Sequence, residues 1–298
     1  MMKKTFVILL GLLSGVSSLF AQGEALTFTR IDRNPVTSAF AGAGSASMAG
    51  VAWSAFSNAS VLPFYDGTLD ASVSYQNWAP GLWKAMHVNA GVAYKVSPSL
   101  GVSVGYALQK GAELEGFKPA DQVIALGLAY GLGEKWALGV NGRYAMQQLT
   151  GSVRYAGFSG DAFVAFRPSG ALRLTAGVST LGTSVAAASG ASFRQPASAK
   201  VAADWVLALG EKHAFEVVAD GDYFFSGNYA AAAGLQYAWN GMVFLRGGYR
   251  YASEGCVIPT HAALGAGFKL AGFRVDVSWL TASEALGNTL CVGLGYGF

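Results

Sequence analysis

Apolar and polar residues alternate along most of this chain with a period of two. In the segment 272–282, Phe273, Val275, Val277 and Trp279 share one face, and Arg274, Asp276 and Ser278 share the other. Side chains of a β-strand point alternately to opposite sides, so this is a strand with one apolar and one polar face. The pattern repeats at 241–252, where Val243, Leu245, Tyr249 and Tyr251 oppose Arg246 and Arg250. At 197–209, Val201, Trp205, Leu207 and Leu209 oppose Lys200 and Asp204, and at 212–223 Phe215 and Val217 oppose Glu216 and Asp220. From about residue 67 onward the chain divides into segments of roughly ten residues, the length a tilted transmembrane strand needs. They fall near 67–76, 84–96, 100–109, 121–131, 135–147, 157–167, 171–181, 197–209, 212–223, 228–239, 241–252, 261–270, 272–282 and 289–298.

These fourteen segments are joined alternately by short and long connections. The short ones include V-S-P-S at 96–99, L-G-E-K at 209–212 and W-N-G at 239–241; the long ones include 110–120, 148–156, 182–196 and 253–260. An even strand number with short turns at one end and longer loops at the other is the pattern of an outer-membrane barrel. The expected fold is all-β: a transmembrane antiparallel β-barrel of about 14 strands over residues 67–298. The last segment, Leu290 to Phe298, puts Leu290, Val292, Leu294, Tyr296 and Phe298 on one face and Cys291, Gly293, Gly295 and Gly297 on the other. Such a strand, with its final Phe, resembles the closing strand of a bacterial outer-membrane barrel.

Composition agrees. The chain has 40 glycines, 13% aromatic residues and only 12% charged residues, against about 25% charged in a typical soluble domain. Residues 1–21 carry Lys3 and Lys4, an apolar run from Phe6 to Leu13, and small residues up to Ala21. This reads as a secretory signal peptide cut before Gln22, which places the protein in the outer membrane as an integral barrel among its lipids. Removing the two leader lysines leaves 18 basic and 17 acidic residues, a net charge of +1, which argues against a nucleic-acid partner.

A basic residue on the lipid face would cost roughly 2–4 kcal/mol at the midplane, so the charges of the strands belong in the lumen. The candidates are Arg143, Lys200, Asp204, Glu216, Asp220, Arg246, Arg250, Arg274 and Asp276. Both signs are present, which favours mutual neutralisation over a path selective for one charge.

Residues 22–66 break the alternation. From Asn34 to Tyr65 there is no charged residue, and 17 of the 32 positions are Ala, Gly or Ser. Small uncharged residues allow close backbone approach and burial. The segment is expected to fold into the lumen as a plug. Pro35, Gly42, Gly44, Trp53, Phe56 and Asn58 are its candidate plug or channel-lining residues. Pro35, six serines and three glycines make it a poor transmembrane helix.

The run from Pro35 through Ala41-Gly42-Ala43-Gly44 to Asn58-Ala59 resembles the N-terminal signature of the PorV/PorQ family, barrels related to the FadL fatty-acid channels. Further matches include Ser74-Tyr75 with Trp78, Phe117-Lys118-Pro119, Lys135-Trp136-Ala137-Leu138 and Arg143-Tyr144. Leu245-Arg246-Gly247-Gly248-Tyr249, Gly265-Ala266-Gly267-Phe268 and Asn288-Thr289-Leu290 are the motifs most similar to PorV. Asn58-Ala59-Ser60 departs from the family's usual Asn-Pro-Ala. The resemblance implies an accessory component of type IX protein secretion, with translocon subunits or secreted cargo proteins as partners. The FadL-like relationship implies, alternatively, passive transport of a hydrophobic small molecule. A third alternative is a structural or surface-interaction barrel.

Nothing in the chain spells catalysis, a cofactor or a metal site. His87, His213 and His261 fall on three different strands without i,i+2 or i,i+4 partners. No serine sits in a G-x-S-x-G elbow. Asp220, Asp222 and Glu216 share a lumen face, which accounts for their proximity without chemistry. Cys256 and Cys291 are compatible with a disulfide or with two separate thiols. The protein is expected not to be an enzyme.

Overall fold

The computed structural model describes residues 24–81, 84–113, 116–148, 153–186 and 190–298; the expected leader, 1–21, lies outside them. Fourteen strands form the wall: β1 (Leu69–Trp78), β2 (Ala85–Lys95), β3 (Leu100–Lys110), β4 (Ala120–Leu132), β5 (Trp136–Gln148), β6 (Arg154–Phe166), β7 (Leu172–Gly182), β10 (Ser198–Leu209), β11 (His213–Phe224), β12 (Tyr229–Trp239), β13 (Val243–Ala252), β14 (His261–Leu270), β15 (Phe273–Thr281) and β16 (Thr289–Gly297). A two-stranded hairpin, β8 (Val185–Ala186) and β9 (Ser192–Phe193), stands in the connection between β7 and β10, outside the wall. Each wall strand pairs antiparallel with its neighbours, and β16 closes the barrel on β1 with Ser74 opposite Gly293. The expected strands and the observed ones coincide to within a few residues.

The alternation seen in the sequence maps onto the two faces of the wall. Along β4, Ile124, Leu126, Leu128 and Tyr130 point outward, and Leu126 is 57% exposed where its neighbour Ala125 is wholly buried. Closure leaves no wall strand with a free edge, the condition for crossing a bilayer without helices. No helix among the described residues is long and apolar enough to span a membrane. Aromatic side chains collect near the strand ends on the outer face. Trp136 stacks on Phe166 at 4.3 Å and Phe273 meets Tyr296 at 4.8 Å at one end; Tyr144 meets Phe158 at 4.7 Å towards the other. These are the interfacial girdles of a membrane barrel. A closed barrel with an apolar outer band between such girdles is an integral outer-membrane architecture.

Short turns gather at one end. In the turn between β12 and β13, Asn240 and Gly241 have φ of 54° and 63°, the left-handed pair that a tight hairpin of matching twist requires. The opposite end carries the longer connections, including 253–260.

Residues 24–66 run inside the barrel. A 3-10 turn at Thr27–Arg30 leads to α1 (Pro35–Ala39), followed by 3-10 helices at Val51–Phe56 and Ala59–Phe64. Helix α1 starts at Pro35, which supplies a preset φ and needs no donor there, and Asn34 caps it by accepting from the Val36 N–H at 3.0 Å. Asn58 does the same for the last helix: its Oδ1 accepts from the Ser60 N–H at 2.9 Å. It also donates to the Ser45 carbonyl at 2.9 Å, tying the small-residue run to the helix. Ala59-Ser60 therefore serves this cap without the proline of the family signature.

Lumen-facing glycines mark where the inserted backbone meets the wall. A Cβ on Gly101 would stand 2.6 Å from the Leu62 Cβ, and one on Gly234 would stand 2.6 Å from the Phe40 Cβ. On Gly248 it would collide with the Phe40 backbone itself. Helix α1 thus beds on β13–β16, while the two later 3-10 helices bed on β2–β6. Val51, Ala59, Val61 and Leu62 form one apolar cluster with Ala93 and Ala129, and Phe64 packs with Ala137 and Ala165 at the short-turn end. Cys256 and Cys291 are free thiols, so the disulfide alternative does not apply.

Candidate functional site

The lumen charges form a hydrogen-bonded belt. Arg274 grips Asp70 with two bonds of 3.2 Å and Asp276 at 3.0 Å. Arg246 reaches Asp276 at 2.6 Å and donates its Nε to Gln236 at 2.6 Å. Gln236 donates to Glu216 at 2.7 Å, and Ser47 of the inserted segment donates to the other Glu216 oxygen at 2.5 Å. Arg173 pairs with Asp204, and its Nε donates to the Ala46 carbonyl at 3.2 Å. Asp220 accepts from the Gly44 N–H at 2.8 Å and from the Ser45 N–H at 3.2 Å, and it also accepts from the Ser45 hydroxyl. The left-handed turn at Gly44, φ 113°, aims those N–H groups at the carboxylate. This belt clamps the plug to the wall and neutralises charge in place. Its chemistry is structural.

Sequence reasoning missed part of it. Asp70, Asp161 and Arg173 are partners of residues singled out above. Arg173 lies between Leu172 and Leu174, so the same alternation marks it as lumenal.

Above the belt, towards the long loops, the plug and the wall leave a cavity of about 150 Å³. Trp53, Phe56, Trp78, Phe163, Phe224 and Leu280 supply apolar surface, and Val257 and Ile258 come from the long connection 253–260. Phe56 carries the Arg33 guanidinium over its ring at 5.0 Å. On the other side of α1, where Pro35 meets Gly293 and Gly295, there is no room for a water molecule. The cavity therefore opens towards the loops and is floored by tightly packed plug.

Five cations line it: Arg30, Arg33, Arg143, Lys200 and Arg250. Arg30 pairs with Asp222 at 3.4 Å, Arg143 with Asp161, and Lys200 with Asp220 and Asp222 at 3.4 and 3.3 Å. Arg33 gives its guanidinium to the carbonyls of Ile31, Thr29 and Phe28 at 2.8, 3.2 and 3.2 Å. Burial, with the nearby Arg143 charge, pulls its pKa down to about 10. Burial raises the Asp32 carboxyl, against bonds from the Thr37 hydroxyl at 2.6 Å and the Asn34 N–H at 3.0 Å. Arg250 has no hydrogen bond or ion pair among the described residues, and its Nε is buried without a partner. It points at the turn of the plug, where a Cβ on Gly42, φ 88°, would stand 3.6 Å from its Nη1. The charged triplet Arg30, Asp32 and Arg33 precedes the uncharged run, so the inserted segment carries charge into the lumen after all.

Of the candidate residues, Gly42, Gly44, Trp53, Phe56, Arg143, Lys200 and Arg250 meet at this cavity. Pro35, Asn58, Asp204, Glu216, Asp220, Arg246, Arg274 and Asp276 do not line it and belong to the plug's docking and the belt.

The wall beside the cavity is incompletely paired. Strands β7 and β10 pair only as far as Ser179 opposite Ser198. There β7 bulges: Ser179 and Thr180 together oppose Asp161 of β6. Asp161 accepts from the Thr180 N–H at 2.7 Å and the Ser179 hydroxyl at 3.1 Å, and Thr180 takes the uncommon φ of 58°. Beyond the bulge, Thr180 to Gly182 have no strand partner on the β10 side among the described residues. The Gln195 amide stands by the seam, donating to the carbonyls of Phe158 and Thr183 at 2.8 and 3.1 Å. Ser179, Thr180 and Arg143 line both the seam and the cavity.

No protein-family model matches the chain, and no curated protein sequence does. Solved structures do match. A CymD monoaromatic hydrocarbon channel superposes with a TM-score of 0.66 at 13% identity, over 90% of this chain and 97% of that one. The Ralstonia pickettii toluene transporter TbuX gives 0.63 at 12% identity, over 91% and 99%. A Pseudomonas aeruginosa FadL homologue gives 0.55 at 12% identity, over 89% and 95%. At this identity the likeness is one of fold: the chain has the barrel architecture of the FadL-type outer-membrane hydrocarbon channels.

Proposed function

We propose that this barrel is a passive channel for a small hydrophobic molecule, with no bond made or broken on the way. The observation that carries the reading is the cavity of about 150 Å³ under the long loops, with aromatic and aliphatic surface beside its charges, closed below by the plug and bordered by the end of the β7–β10 seam where pairing stops. A cavity of about 150 Å³ has room for one benzene-sized body. A molecule caught there cannot go straight down without moving the plug, whereas the seam offers a way out through the wall. The fold shared with hydrocarbon channels supports the same reading.

The test is binding and uptake. Toluene should quench the fluorescence of purified protein, since Trp53 and Trp78 line the cavity. Cells expressing the barrel should take up labelled toluene faster than cells lacking it. Equal uptake together with unquenched fluorescence would sink the reading.

The PorV/PorQ resemblance favours a second reading, an accessory role in type IX secretion. It rests on the motifs from Leu245 to Tyr249 and Gly265 to Phe268, which here serve the wall: Gly248 and Gly265 seat α1. Deleting the gene and measuring surface display of secreted cargo separates the two readings. Lost display would favour secretion over transport.

A further inference from the structure

Arg250 is the one cation of the cavity whose guanidinium touches neither a carboxylate nor a carbonyl among the described residues. It lies on β13, opposite Ala232 of β12 and His261 of β14, and is 7% exposed. Asp222, which also lines the cavity, is already engaged by Arg30 and Lys200. The Nδ1 of His261 is spent on the Pro259 carbonyl at 2.8 Å. A largely buried guanidinium that makes no hydrogen bond or ion pair of its own gains when an anion with hydrogen-bonding oxygens sits against it. Arginine presents parallel N–H groups that match a carboxylate in two bonds.

We infer that the cavity is a site for a small aromatic carboxylate, a single ring bearing one acid group, with Arg250 taking the carboxylate and the rings of Trp53, Phe56 and Phe224 enclosing the body. The size follows from the volume, which suits one ring and is too small for a long acyl chain. The charge follows from Arg250. This deepens the channel reading and rests on it: a neutral hydrocarbon would fill the apolar part and leave the guanidinium bare.

Benzoate, toluene and acetate distinguish the possibilities, measured by calorimetry or tryptophan quenching on the purified full-length barrel. Benzoate should bind more tightly than either of the others. Arg250→Gln should lower the ratio of benzoate to toluene affinity about tenfold or more, the usual loss for a hydrogen-bonded charge, and Arg250→Lys should restore part of it. Ala232→Asp, which sets a carboxylate on the neighbouring strand opposite Arg250, should abolish the benzoate preference in the same way. Folding of each variant is checked by its mobility on an unheated gel, and the wild-type comparison needs no variant. Toluene binding as well as benzoate overturns this inference and leaves the channel reading standing. Acetate binding as well as benzoate overturns the aromatic part. If neither benzoate nor toluene binds, both readings fail together.

Discussion

Pro35 of the plug lies so close to Gly293 of the closing strand that a Cβ on Gly293 would stand 2.6 Å from the proline Cγ. The proline ring is stiff and is fixed at the start of α1, so it cannot swing away as the end of a long side chain would. Gly293→Ala should therefore loosen the plug, at a cost of about 1–3 kcal/mol, the usual range for overpacking. Gly142→Ala, on β5, adds its methyl to open space and serves as the control. Melting temperature in detergent and protease sensitivity of residues 24–66 read the difference. Identical behaviour of the two variants would show that α1 does not bear on Gly293.

Asp276 joins two arginines, Arg246 at 2.6 Å and Arg274 at 3.0 Å. Removing it leaves Arg246 without an ion pair, while Arg274 keeps Asp70. Removing Arg246 instead leaves Asp276 still held by Arg274. Breaking a buried pair from one side costs about 3–5 kcal/mol when the remaining charge is uncompensated. Asp276→Ala should approach that range and Arg246→Ala should fall well short of it. Urea unfolding in detergent micelles gives both values, and a larger loss for Arg246→Ala would contradict the belt as drawn.

Leu126 is near the middle of β4 on the outer face, and Tyr130 sits on the same face close to the short-turn end. If lipid covers this face, a charge should cost more at the first position than at the second. Leu126→Arg is expected to destabilise the barrel in lipid vesicles by about 2–4 kcal/mol, and Tyr130→Arg by about 0–1 kcal/mol for its charge. Equal costs, or none, would mean that the face is not in the bilayer.

How much of this was legible beforehand depends on the range of the interaction. Strand positions and faces were readable because the period-two signal is local: Phe273 to Trp279 carries it in seven consecutive residues. The lumen charges were readable for the same reason. The bulge at Ser179 and Thr180 was not, since two small polar residues in a row look like one more step of a polar face. It is held by Asp161 from another strand. The bed of α1 was equally hidden. Gly248 and Gly265 read only as weak strand residues until Phe40 and Ala39 are seen to fill their missing side chains. Arg33 falls within the plug segment, 22–66, but the sequence does not show how a buried charge is satisfied there: carbonyls of the plug's own first turn accept from it. Arg250 could be placed on the lumen face by pattern, but its lack of a partner emerges only once all the neighbouring strands are in position.

Asp32 gives the plug a pH dependence of its own. Burial raises its folded-state pKa above the ordinary carboxylate value of 3.8, although the Thr37 hydroxyl and the Asn34 N–H favour the ionised form. A raised acid pKa means that the folded state binds the proton more readily than the unfolded chain. The resulting stabilisation is complete below the unfolded value, about 3.9, and is lost as pH rises through the folded value. Asn at this position keeps an oxygen for the Asn34 N–H and never ionises. The Asp32→Asn variant should therefore match wild type in acid and become the more stable of the two as the pH rises to neutrality. Melting temperatures of both proteins across that range decide it, because taking the difference cancels the titration of the other carboxylates. A difference that shrinks with rising pH would mean that Asp32 is held as a well-compensated carboxylate, with the Arg33 charge outweighing its desolvation.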